Sequence, residues 1–266
     1  MDTSSGIPNG ATSSTDLVNV NSALSAGAIT PSSPTIDSGQ SVTLTSHATG
    51  GTPALFYLWY TGAACTSVIS GQTGSTYTAS PSSTTTYYYK VTDSAYLSAS
   101  QCSAGDTITV ASVLVAGGIT PSSPTIDSGQ SITLTANPSG GTTPYSYQWY
   151  TGAACTSLIS GQTGSTYIVS PTVTTTYYYK VTDLALSPVS QCSTGDTVTV
   201  NSALSAGAIT PSAPTIDSGQ SVTLTSHATG GTPALFYLWY TGAACTSVIS
   251  GQTGSTYIAS PSSTTT

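Results

Sequence analysis

Charge is what this chain most lacks. Only 4% of its 266 residues are charged, where soluble proteins usually carry roughly 25%. Glu and Arg are absent, and the basic side chains are Lys90 and Lys180, set against nine Asp for a net charge of −7. A nucleic-acid partner needs Lys and Arg to displace counterions from phosphates, so that class is excluded. No apolar run approaches the roughly 18 residues of a membrane-spanning helix, so this segment has no membrane span. The opening "MDTSSGIPNGATSST" has neither the basic start nor the apolar stretch of a secretory leader. Asn137 precedes Pro138, and no N-x-S/T acceptor for N-linked sugar occurs elsewhere.

The residues of chemistry are equally sparse. His47 and His227 occupy the same position in two near-identical copies, and Asn137 stands there in the copy between them. Neither has the neighbouring nucleophile and orienting acid that acyl-transfer chemistry requires. Cys and His lack the C-x-x-C or H-x-x-x-H spacing of a zinc site, and no glycine loop matches a phosphate cradle. The chain is expected to be no enzyme and to carry no cofactor. What is abundant is Ser and Thr, together with 17 Tyr and three Trp within a 38% hydrophobic composition. That balance argues for packed cores rather than disorder. The hydroxyl-rich polar surface is insensitive to pH and salt, which suits a harsh exterior.

The chain repeats itself every 90 residues, as Trp59, Trp149 and Trp239 show. "ITPSSPTIDSGQ" at 29–40 recurs at 119–130 and, with Ala213 for Ser33, at 209–220. The third copy differs from the first over 21–86 only at Ser33/Ala213 and Thr78/Ile258. Such a period suits a small independent domain rather than a solenoid turn. The boundaries read as a remnant of a preceding repeat at 1–26, repeats at 27–116 and 117–206, and an incomplete repeat at 207–266.

Within each repeat the apolar residues alternate with a period of two, which predicts half-buried strands. "SVTLTS" (41–46) sets Val42 and Leu44 against Thr43 and Thr45. "YYYKVTD" (87–93) sets Tyr87, Tyr89 and Val91 against Tyr88, Lys90 and Thr92. In "YSYQWY" (145–150), Tyr147 and Trp149 face inward while Ser146 and Gln148 face out. Turns such as "DSGQ", "TGGTP" and "SGQTGS" punctuate these runs, and nothing shows a helical stripe. The fold class is all-β, with about seven strands per repeat, which points to a sandwich.

The ordered series of motifs resembles an immunoglobulin-like domain. "IDSGQSVTLTS" resembles its B strand, "YQWY" its C strand with the core tryptophan, "TTTYYYKVTD" its F strand and "GDTVTV" its G strand. Tandem Ig-like (PKD-like) repeats of large prokaryotic surface proteins are the nearest resemblance, although the PKD glycine-aspartate signature is missing. The resemblance implies an inter-sheet disulfide, but Ser46, Ala136 or Ser226 replaces the B cysteine and Tyr89 or Tyr179 the F cysteine. Tyr87 and Tyr177 fall at the family's tyrosine-corner position. The implied core is therefore aromatic, built on Trp59, Trp149 and Trp239 with Tyr57, Tyr77, Tyr87, Tyr89 and Tyr177.

Each complete repeat instead has two other cysteines, Cys65 with Cys102 and Cys155 with Cys192. A sparse, regular pair in a Ser/Thr-rich β protein reads as oxidised and extracellular. In the resembled topology the C–C′ turn and the F–G loop sit at opposite ends of the sandwich. Two pairings follow: Cys65–Cys102 and Cys155–Cys192 if the F–G segment folds back along its domain, or Cys65–Cys192 across a junction. Cys245 has no partner at the equivalent position. Asp37, Asp183 and Asp196 are candidate calcium ligands if they meet across a junction, with local turn capping as the simpler reading. Phe56 and Leu58, and likewise Phe236 and Leu238, form an outward apolar stripe where the second copy has Ser146 and Gln148. It is expected to be covered by its own domain, or else to be an interface for another chain, surface glycans or another cell.

The sequence thus predicts a structural repeat segment of an extracellular surface protein: a stalk, fibre, adhesin or surface-layer component. The alternatives are a carbohydrate- or cell-binding module, or a spacer for a secreted hydrolase. Neighbouring repeats or copies of the chain itself are the expected partners. The third repeat stops before strands F and G, and residues 16–22 align with a G strand that has no sandwich of its own. A cut through a longer array explains both ends better than strand exchange between molecules. Digestion without reductant followed by mass spectrometry separates the pairings. A Cys65–Cys102 peptide is expected, and a Cys65–Cys192 peptide would place the bridge across a junction.

Overall fold

The computed structural model describes residues 16–266, so residues 1–15 of the remnant read at 1–26 lie outside the described residues. The chain divides into two compact units, one ending at Val110 and the other running from Ala111 to the end. The first unit contains β1 (Ile29–Thr30), β2 (Thr35–Asp37), β3 (Val42–Ser46), β4 (Phe56–Tyr60), β5 (Thr76–Ala79), β6 (Thr85–Thr92), β7 (Ser100–Cys102) and nearly all of β8 (Asp106–Ala111). One sheet has the order β1-β3-β5, and the other has β2-β8-β6-β4 with β7 also paired to β6. These are the two layers of an immunoglobulin-like sandwich, with β3 as strand B, β4 as C and β6 as F.

Alternation places the core as the sequence requires. From the first sheet Val42, Leu44 and Ala79 point inward, and from the second Ile36, Trp59, Tyr87, Tyr89, Val91 and Ile108 meet them in one cluster. Trp59 stands opposite Tyr89 across the β4–β6 pair. Their rings lie 5.5 Å apart, Tyr77 lies 5.7 Å from Trp59, and Tyr87 lies 5.7 Å from Tyr77. Tilted pairs at these distances add about 0.5–1.5 kcal/mol each beyond the area they bury. The indole N–H is satisfied by the Gly74 carbonyl at 2.9 Å, and the Tyr89 hydroxyl donates to the Gly27 carbonyl at 3.4 Å. An aromatic chain therefore fills the space that an inter-sheet disulfide would bridge.

Strand G is broken into halves. β7 pairs with the end of β6, Lys90 opposite Cys102, and β8 pairs with its beginning, Tyr87 opposite Asp106. The break at 103–105 lets the strand pass the Tyr88 ring, and a Cβ on Gly105 would lie 2.6 Å from that ring. Only residues 93–99 remain as the F–G loop.

The second unit repeats this plan with β9 (Ile119–Thr120), β10 (Thr125–Asp127), β11 (Ile132–Ala136), β12 (Ser146–Tyr150), β13 (Thr166–Val169), β14 (Thr175–Thr182), β15 (Ser190–Cys192) and β16 (Asp196–Asn201). β10 runs parallel to β16, with Ile126 opposite Val200. Trp149 and Tyr179 are again fully buried, and burial pushes the Tyr179 phenol up to about 12. The third repeat contributes β17 (Ile209–Thr210), β18 (Val222–Ser226), β19 (Tyr240–Thr241), β20 (Ser247–Val248) and β21 (Thr256–Ala259). Its β17-β18-β21 sheet forms as in the other repeats, but residues 235–239 make no strand. The physical reason is that, among the described residues, no F segment lies beside them to complete their hydrogen bonds.

Two sequence expectations are corrected. Residues 16–22 are not a strand: 16–24 have no regular structure, and Leu17, Val18 and Val20 are exposed. A G strand needs an F strand to pair with, and among the described residues none lies beside 16–22. The repeat boundaries at 27 and 117 also fall inside the domains, because Leu24 and Ala26 pack in the first core and Leu114 and Ala116 in the second. Burial separates two aliphatic positions on facing strands: Leu134 is fully buried on β11, and Ile168 is exposed on β13. Leu134→Ala should cost about 2–5 kcal/mol in urea denaturation, and Ile168→Ala should stay within about 0.5 kcal/mol of the parent.

Candidate functional site

Two features go beyond a plain sandwich: a disulfide strap on the outer face of each complete repeat, and, within the second unit, the hydrogen bonds that join the second repeat to the third. The strap begins where β4 ends. The chain turns through Gly62 into a short 3-10 turn at Ala63–Cys65, in which Ala64 and Cys65 have positive φ of 53° and 56°. Thr66 N–H donates to the Gly62 carbonyl at 3.3 Å, and the Thr66 hydroxyl donates to the Ala63 carbonyl at 3.0 Å. A Cβ on Gly62 would lie 2.4 Å from Thr66 Oγ1, so the turn requires glycine there. This fold-back carries Cys65 over the outer face of the sheet.

Cys102 waits on that face, beside Lys90 of β6, which in turn faces Leu58 of β4. Cys65 and Cys102 are bonded with Cα atoms 6.1 Å apart, and Cys155 and Cys192 with Cα atoms 6.0 Å apart. The bridge lies within a repeat. Cys102 is not in the F–G loop at the far end of the sandwich; it ends the first half of strand G, on the same sheet face as Cys65. Each bridge crosses over strand F on the outside, where Tyr60 is 8% exposed. Cys245 is free and exposed.

The apolar stripe has no cover from its own domain, contrary to the expected arrangement. Phe56 is 59% exposed and Leu58 39%, because the strap shields only the Tyr60 end of β4. Phe236 and Leu238 are exposed as well. In the second repeat Gln148 donates from its side-chain amide to the carbonyls of Ile159 at 2.7 Å and Gln162 at 3.2 Å. Leu58 cannot make those side-chain bonds, and in the first repeat the same segment is held by backbone bonds alone, Ile69 N–H to the Trp59 carbonyl at 2.7 Å and Trp59 N–H to the Gln72 carbonyl at 3.3 Å.

The aspartates serve as local caps. Asp93, at the end of β6, accepts from Ala99 N–H at 2.7 Å and Thr52 N–H at 3.1 Å. Asp183 accepts in the same way from Val189 N–H at 2.7 Å. Asp106 and Asp196 accept from Ser33 and Ser123 N–H, each at 2.7 Å. In the second unit Asp196 stands opposite Tyr177 at the start of β14, while Asp183 follows its end. Six residues of extended strand separate the two by roughly 20 Å, so they do not share a cation. Asp37 is buried in β2 of the first unit. Among the described residues no three His, Cys or Asp side chains cluster as metal ligands. The histidines bind neighbours in their own sheet: His47 Nε2 lies 2.8 Å from Thr30 Oγ1, and Asn137 Nδ2 lies 3.1 Å from Thr120 Oγ1 in its place.

The junction was not anticipated from the sequence. Asn201, the last residue of β16, donates to Thr232 Oγ1 at 3.2 Å, and that hydroxyl donates to Asp127 Oδ1 at 2.8 Å. Backbone bonds follow at once, from Gly231 N–H to the Ser202 carbonyl and between Ser205 and Thr229 in both directions. The last strand of the second repeat therefore passes into the third with no linker. In the first unit Asn21 donates to Thr52 Oγ1 at 3.0 Å and Gly51 N–H to the Ser22 carbonyl at 2.8 Å. Gly51 has φ of 72°, and a Cβ there would lie 2.8 Å from Leu24. The only sequence signal was negative: "TVNSALSAG" holds no Pro-rich or charged linker between repeats.

No protein-family model and no curated protein matches the chain. Among solved structures, an I-band fragment of titin is similar with a TM-score of 0.46 and 15% identity, over 78% of this chain and 75% of that one. The N-terminal four Ig domains of Dscam1 isoform 6.9 give 0.34 and 17%, over 63% of this chain and 43% of that one. The N-terminal eight Ig domains of DSCAM give 0.36 and 18%, over 86% and 34%. The chain thus spans less than half the length of either Dscam structure. All three are tandem Ig structures, and the likeness is one of fold alone. The fold class here rests on the strand order of the two sheets.

The backbone N–H groups of Ala99 and Thr52 hold the Asp93 carboxyl below its ordinary range. A depressed folded-state value stabilises the protein above the ordinary Asp pKa of about 3.9, and that contribution is lost as pH falls through the folded value. Asp93→Asn should therefore be less stable than the parent at pH 7, and the two should converge in acid below about pH 4. Urea midpoints measured from pH 7 to pH 2 check this.

Proposed function

We propose that this chain is a structural repeat segment of an extracellular surface protein, a stalk, fibre, adhesin or surface-layer component. The observation that carries the reading is the junction in the second unit, where Asn201, Thr232 and Asp127 join two repeats without a linker. A chain whose function arises from position and length needs such joints, and it needs cores that survive outside the cell. One bridge in each complete repeat fits an oxidising exterior. The near absence of charge leaves little for pH or salt to perturb. Neighbouring repeats and further copies of the chain are the partners this role requires. No enzymatic activity is assigned, since the histidines are taken up by threonines of their own sheet.

A second reading, a carbohydrate- or cell-binding module, is favoured by one observation: Phe56 and Leu58 stand uncovered on the outer face of β4. Phe56→Ser with Leu58→Gln converts that face to the pattern of the second repeat, so the pair of proteins separates the readings. On a glycan array the structural reading predicts no saturable signal from either protein. Saturable binding by the parent that disappears in the double variant would establish the binding module instead.

A further inference from the structure

The position of the bridges within the strand order has a mechanical consequence. In the first repeat β1 to β4 precede Cys65, β5 to β7 lie between Cys65 and Cys102, and β8 follows. The bridge closes a loop that contains all of strand F, the strand carrying Tyr87, Tyr89 and Val91 into the core. The second repeat has the same arrangement, with β13 to β15 inside its loop. A disulfide between the two sheets at the positions of Ser46 and Tyr89 would instead have joined strands B and F through the core. Here the bond lies on the outside of one sheet, and Cys65, Cys102, Cys155 and Cys192 are all only partly buried, within reach of a small reductant.

We propose that the two bridges are redox-set straps that limit how far each repeat extends under tension, and this rests on the reading of the chain as a load-bearing segment. When a repeat is pulled from its ends, load runs from β1 through β4 to Cys65, crosses the S–S bond to Cys102, and leaves through β8. Strands β5, β6 and β7 are bypassed. Each bridge spans 37 residues, so the two withhold 74 of the 266 residues from extension. A dithiol reductant removes the limit: its two thiols close to a disulfide, two electrons and two protons pass to the bridge, and the Sγ–Sγ bond becomes two Cys thiols. Strand F then joins the load path, and the core that depends on it is pulled directly.

Optical tweezers on the whole chain test this, with thiol-independent handles at both termini and Cys245→Ser to remove the free thiol. The length at full extension should be about 1.4-fold greater in reductant than in its absence, at a rise of roughly 3.3–3.6 Å per residue. Total length reads the strap whether or not a reduced repeat stays folded. Cys65→Ser with Cys102→Ser should give half of that gain without reductant and the remainder with it. Equal lengths in the two conditions, with four thiols confirmed by titration after reduction, would overturn the proposal. A length difference alongside saturable glycan binding would sink the load-bearing reading while leaving the straps in place.

Discussion

Strand F is the element on which each sandwich depends. It pairs with strand C on one side and with both halves of strand G on the other, and it alone sends Tyr87, Tyr89 and Val91 into the core. The contact between Tyr89 and Trp59 joins F to C at the centre of the domain. The first and third repeats isolate this dependence, because their sequences are almost the same over 66 matched positions (21–86 and 201–266). With F present, Phe56–Tyr60 is a strand and Val42 and Leu44 are buried. With no F, residues 236–239, which match Phe56–Trp59, are not a strand, and Val222 and Leu224 are only half-buried. The sheet of β17, β18 and β21 persists because none of its hydrogen bonds involve F.

An aromatic core changes what the cysteines are for. A bridge between B and F would hold the two sheets together, but Ser46 and Tyr89 occupy those places and the Tyr89 hydroxyl reaches the Gly27 carbonyl instead. Once the core no longer needs the bond, the bridge is displaced to the outer face, where it ties the turn after C to strand G. It is worth about 2–4 kcal/mol in chain entropy for a loop of this size, a useful supplement for a domain of about 90 residues whose hydrophobic core is small. The price of the design is an uncovered stretch of β4, since the strap shields Tyr60 and stops short of Leu58 and Phe56.

Much of this was legible in the sequence, for identifiable reasons. The 90-residue repeat, the strand alternation and the inward tryptophans depend on local pattern, and pattern survives without knowledge of contacts. The place of Cys102 is hard to read because one glycine decides it: strand G breaks at Gly105 beside the Tyr88 ring, and the residues before it pair with F rather than looping. A repeat period fixes length but not phase, so it does not say on which side of a boundary Leu24 and Leu114 pack. The junction of Asn201, Thr232 and Asp127 involves three residues far apart in the chain, each of them ordinary in its own context. Residues 16–22 have the pattern of a strand and lack only a neighbour, which pattern cannot report.

The aromatic packing of F against C, not the disulfide, holds each complete repeat together. Near-UV circular dichroism of the whole chain, recorded during thermal unfolding with and without reductant, tests it most directly. The aromatic signal should survive reduction at 25 °C, and the transition should move to lower temperature while staying cooperative. Loss of the aromatic signal on reduction, before any heating, would contradict it.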